Sequence, residues 1–156
     1  MREIKVRAWD SSEEIMIYQE NIGEETWFEF DADGFHLFYM GQYFETGSGV
    51  AVENWRPVES KNVEWMQYTG LDDKNGKPIY EGDIVKWDDE SNGKYWRVAT
   101  VNINPDLYFE CFDCPAIENS TCHRHKFHYG RFIYTDTHNH LEIIGNLYES
   151  PELIEQ

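Results

Sequence analysis

Apolar and polar residues alternate along most of this chain in short runs of period two, and stripes of helical period are scarce. Ile4, Val6 and Ala8 alternate with Lys5 and Arg7, the pattern of an opening strand with one buried face. Ile15 to Tyr18 follows after a polar turn, in position to close a hairpin with it. Thr26 to Phe30 and Phe35 to Phe44 flank Asp31-Ala32-Asp33-Gly34, which predicts a second hairpin with Gly34 at a positive φ. Gly47-Ser48-Gly49 is the clearest flexible joint in this half. Val50 to Val58 fits a short helix and a further strand equally well.

Downstream the same pattern predicts strands at Val63 to Tyr68, Ile79 to Trp87, Tyr95 to Ile103 and Leu107 to Phe112. Asp73-Lys74-Asn75-Gly76, Ser91-Asn92-Gly93 and Asn104-Pro105-Asp106 separate them with turn chemistry. With a last strand at Leu141 to Tyr148, five strands on short connections predict a small curled barrel. Residues 113–140 read as one long polar connection. The expectation is a mainly β protein with at most a minor helix. An N-terminal β subdomain, residues 1–60, would pack on a barrel of residues 61–156.

Three blocks, in order along the chain, resemble the YopX family of phage and prophage proteins. They are MREIKVRAWD at the start, MQYTGLDDKNGKPIYEGDIVK from Met66, and LEIIGNLYESPELI from Leu141. The resemblance implies a mainly β fold with an SH3-like barrel element and a setting in the bacterial cytoplasm. It implies no catalytic residues, since the family has no established activity. The region from Asp106 to His140, rich in Cys and His, departs from the family pattern.

Charge narrows the set of partners. Acidic residues number 30 against 13 basic, for a formal charge of -17. No Lys or Arg lies between Ala8 and Trp55, where 11 carboxylates do. Such a field repels phosphate, so direct nucleic-acid binding is not expected. It suits a basic partner, and one reading is an acidic mimic of DNA charge that occupies a host DNA-binding protein. No segment reaches the roughly 20 apolar residues that span a bilayer. MREIKVRAWDSSEE turns acidic where an export signal would be apolar, so a cytoplasmic protein is expected.

The sharpest chemical signal is Cys111-Phe-Asp-Cys114 followed by Cys122-His123-Arg-His125. Cys111, Cys114, Cys122 and His125 would supply thiolates and an imidazole to a tetrahedral structural zinc, giving a zinc-stabilised interaction module. Against this, Cys111 continues the Leu107 and Phe109 face of a strand, where a buried thiol is common. Asp73 to Gly82 resembles a calcium loop until its ligands are counted. Alignment of the loop glycine on Gly76 leaves Leu71 first and Gly82 twelfth, so hairpin turns explain the glycines better. Glu81-Gly82-Asp83 reads as a sharp bend whose carboxylate caps nearby backbone N–H groups. Nucleophile-elbow, metalloprotease, phosphate-loop and dinucleotide motifs are all missing. The expectation is therefore a binding or assembly module without catalysis, its partner being a second copy of itself or a host protein.

Overall fold

At Asp31 to Gly34 and at Asp73 to Gly76, a polar turn ending in glycine joins two strands that pair with each other. The computed structural model describes residues 5–47, 50–88, 94–121, 126–129 and 139–154. The protein is mainly β, and its only helical elements among the described residues are short 3-10 turns such as Gln19–Asn21 and Pro151–Leu153. It divides into two units, Val6–Trp65 and the chain from Met66 onward together with Lys5.

In the N-terminal unit, β1 (Val6–Asp10) and β2 (Ile15–Tyr18) form the expected antiparallel hairpin, with Ala8 opposite Ile17. Val6 and Ala8 are buried as the alternation predicts, but Arg7 is buried too. Its guanidinium lies 5.8 Å from the centre of the Tyr18 ring, so β1 is covered on both faces. An N–H of Ser11 donates to Asn62 O at 3.0 Å, beside the start of β6 (Val63–Asp72).

β3 (Thr26–Asp31), β4 (Gly34–Gly47) and β5 (Val50–Glu59) make an antiparallel meander. Gly34 has a φ of 126°, and it closes the first turn as the sequence predicts. Val50 to Val58, open to two readings in sequence, is strand. Its residues pair with β4 from Gly47 and Val50 to Phe38 and Glu59. Phe28, Leu37 and Tyr39 point to the inner face, where Leu37 is fully buried and Phe28 meets Trp65 edge-on at 5.0 Å.

The C-terminal unit is built on a curled half-barrel sheet. Its strands are β8 (Asp83–Asp88), β9 (Trp96–Ile103), β10 (Leu107–Cys111), β11 (Lys126–His128) and β12 (Glu142–Asn146), in the order β11-β10-β9-β8-β12. Val85, Ala99, Val101 and Phe109 pack on one face, with Ile79 and Leu141. Ile84 and Val98 pack on the other, with Ile144 and Leu153. The connection at 113–140 is not wholly irregular, because β11 pairs with β10 through Phe109 and Phe127. Three residues with one apolar side chain carry too little period to announce a strand.

The stretch from Met66 to Asp88 behaves as turn chemistry requires. β6 pairs with β7 (Pro78–Tyr80), and the loop between them closes with the Asp73 N–H donating to Lys77 O at 2.8 Å. Gly76 and Gly82 have φ of 78° and 80°, conformations that side chains with a Cβ rarely adopt. The Asp83 carboxylate accepts the Tyr80 N–H at 2.8 Å, the cap predicted for the Gly-Asp bend.

Candidate interaction face

Strand alternation sets the inner face of the β3–β5 sheet apart from an outer one. Trp27, Glu29 and Asp31 of β3 share the outer face with His36, Phe38 and Met40 of β4. Glu59, Pro57 and Trp55 of β5 complete it. Trp27 and Phe38 stack with centroids 5.6 Å apart and planes 15° apart, and His36 follows at 6.4 Å from Phe38. Trp55 is 56% exposed at the far end. The result is a row of planar and apolar side chains, half-buried at Trp27, His36, Phe38 and Met40 and exposed at Pro57 and Trp55. Such a row on a sheet face is unusual, because the outer face of an antiparallel sheet is ordinarily polar.

Carboxylates stand at both ends of the stacked rings. The Trp27 indole N–H donates to Glu29 at 2.9 Å. Both nitrogens of His36 face carboxylates, Nδ1 to Glu59 at 2.7 Å and Nε2 to Asp31 at 3.0 Å. The hydrogen bond to Glu59, then that to Asp31, raises the imidazole above its ordinary 6.5. Glu59 is lowered in turn, first by Lys61 and then by His36. Asp31 is lowered by the Asp33 N–H and by His36. Sequence reading misses His36, since five other histidines lie downstream and its partner Glu59 is 23 residues away. The available signal is its place two residues before Phe38 on a strand returning past Asp31.

The β5 edge of this sheet lacks one backbone donor for strand pairing. The Ser60 N–H donates to Leu37 O, so Leu37 and Ser60 form a hydrogen-bonded pair. By alternation Glu59, Pro57 and Trp55 then direct their backbone groups away from β4. Proline contributes no N–H there, which removes a donor from the middle of that edge.

On the inner side, Asp10 holds the unit together. Its carboxylate accepts the Ser12 N–H at 2.9 Å and the Tyr39 hydroxyl at 3.0 Å. Burial raises the carboxyl, but hydrogen bonds led by Ser60 lower it further, while burial and Asp10 together raise Tyr39. Asp10→Ala is expected to destabilise the N-terminal unit by about 2 kcal/mol, measured by chemical denaturation. Asp10 is thus one of the basic-free stretch's carboxylates that is withdrawn from the surface.

The cysteines predicted for zinc are placed differently from one another. Cys111 is buried with Val85, Ala99 and Phe109, and Cys114 with Ile84 and Val98. Val85 and Ile84 are successive residues of one strand, so the two thiols pack on opposite faces of the sheet. Cys122 and His125 lie outside the described residues. Among the described residues, no three His, Cys, Asp or Glu side chains gather where a metal ion would sit. A depression of about 290 Å³ is lined by Lys74, Asp88, Trp96, Asn139 and His140. Its charges are largely matched, because Lys74 and Lys86 both approach Glu142. Among the described residues no helix is long and apolar enough to cross a membrane.

Fold and site together define a mainly β protein with a half-barrel unit and an acidic unit that carries a partly exposed aromatic face. The YopX protein family matches it over residues 5–155, nearly the whole chain, and the chain belongs to that family. It is similar in fold to the crystal structure of protein EF1440 from Enterococcus faecalis, at 21% identity and a TM-score of 0.56. That likeness covers 99% of this chain and 100% of the other. No curated protein matches it.

Proposed function

We propose that this protein is a non-catalytic binding module, of phage or prophage type, whose partner is a host protein in the bacterial cytoplasm. The observation that carries the reading is the outer face of β3–β5, where Trp27, Phe38, Met40, Pro57 and Trp55 form an apolar row beside carboxylates. Exposed aromatics surrounded by polar groups are the usual anchors of protein interfaces. The formal charge of -17 opposes close approach of a second copy and favours a partner with a basic surface.

Affinity capture from host lysate at two salt concentrations tests this, with Trp55→Ala compared against Tyr95→Ala. Both residues are exposed, but Tyr95 belongs to the C-terminal unit. Trp55→Ala is expected to lower recovery of the partner about tenfold or more at both salts, and Tyr95→Ala to leave it unchanged. Equal recovery by the two variants contradicts the reading. So does self-association that Trp55→Ala abolishes, which makes a second copy the occupant.

A further inference from the structure

The outer face already holds a planar imidazole whose protonated form both neighbouring carboxylates favour. His36 stands beside Phe38 on β4, Trp27 lies across from Phe38 on β3, and each nitrogen of His36 meets a carboxylate. Aromatic faces and paired carboxylates are also what a guanidinium seeks, since it is planar, stacks on rings and spans two acceptors. An ammonium shares the charge but not the shape. Glu29, opposite His36 on β3, adds a third carboxylate at the Trp27 end. Resting on the binding reading above, we infer that this face recognises an arginine-bearing segment of the partner, which stacks along Trp27 and Phe38 and displaces His36 from Asp31 and Glu59.

The charged groups facing His36 are Glu29 and Asp31 from β3, Glu59 from β5, and Lys61 just beyond it. While protonated, His36 occupies Asp31 and Glu59 and competes with the incoming guanidinium. Hydrogen bonds to Glu59 and then to Asp31 favour the imidazolium and raise the group above its ordinary value. As pH rises through the raised value the competitor loses its charge and the two carboxylates become available. Arginine binding therefore strengthens with rising pH.

The test uses the full chain and short fluorescein-labelled peptides alternating Arg with Leu or Lys with Leu, read by anisotropy. General attraction to an acidic protein treats the two alike, whereas this face is expected to prefer the Arg peptide about tenfold. Asp31→Asn/Glu59→Gln is expected to erase that preference. Asp106→Asn/Glu118→Gln, which removes two exposed carboxylates of the other unit, is expected to keep it. Affinity for the Arg peptide should rise about threefold or more from about pH 6 to about pH 8.5, and His36→Gln should flatten that rise. Equal binding of the two peptides overturns the inference, as does equal weakening by both double variants. Should Asp31→Asn/Glu59→Gln fail to give a wild-type melting curve, His36→Gln decides, and an unchanged pH profile overturns the inference. If Trp55→Ala still abolishes capture from lysate while no Arg preference exists, the cation inference falls and the binding face stands. Failure of both removes both.

Discussion

Asp73→Ala is expected to destabilise the C-terminal unit by about 3 kcal/mol, measured by chemical denaturation. Asp73 is buried at the turn between β6 and β7, and its carboxylate accepts the N–H groups of Asn75 at 2.8 Å and Lys77 at 2.9 Å. It also accepts the Ile143 N–H at 3.2 Å, 70 residues away in sequence. One side chain thus shapes the Asp-Lys-Asn-Gly turn and ties it to β12. Removing it deprives four donors of their acceptor, three of them backbone N–H groups and one the Asn75 side-chain amide. Burial pushes this carboxyl up, but the hydrogen bonds from Lys77, Ile143 and Asn75 bring it below its ordinary 3.8. A lowered folded-state value means that the stabilisation is present above pH 3.8 and is lost as pH falls through the lowered value. The variant should therefore lose stability less steeply in acid than the wild type. A variant as stable as wild type at neutral pH would refute the assignment.

Gly145→Ala is expected to cost about 2 kcal/mol and to loosen the C-terminal turn. A Cβ at this position would lie 2.5 Å from Ser150 Oγ, 2.7 Å from Ser150 Cβ and 2.9 Å from Leu153 Cδ1. Neither neighbour moves easily. The Ser150 N–H donates to Asn146 O, and Leu153 packs against the cluster of Ile84, Val98 and Cys114. Asn146 Oδ1 also accepts the N–H groups of Tyr148 and Glu149, so the turn is held from within. Gly23→Ala is the control, since nothing lies within 4 Å of a Cβ there. The two variants compared by denaturation should differ by most of the expected cost, and equal stabilities would mean that the Ser150–Leu153 turn yields freely.

The hairpins were legible because their information is local. Asp31 to Gly34 and Asn75-Gly76 specify turns within a few residues, and the flanking apolar runs have the period of a half-buried strand. Val50 to Val58 was ambiguous because its strand character depends on β4, which supplies every cross-strand partner. The alternation places Arg7 opposite the buried face of β1, because period two assigns faces but cannot say that both will be covered. The interaction face has the same limitation. Trp27, His36, Phe38 and Glu59 become neighbours only through the registers of three strands, and no spacing in the sequence marks them as a group. Cysteine spacing, by contrast, was conspicuous in sequence. Yet Cys111 and Cys114 pack on opposite sides of one sheet, because three residues along the chain carry them past the end of β10.

Hydrogen exchange of the full chain, with and without the captured host partner, tests the binding face most directly. Slowed exchange is expected to concentrate in β3, β4 and β5, with the half-barrel sheet unchanged. Slowed exchange confined to the half-barrel sheet, with β3 to β5 unaffected, would contradict it.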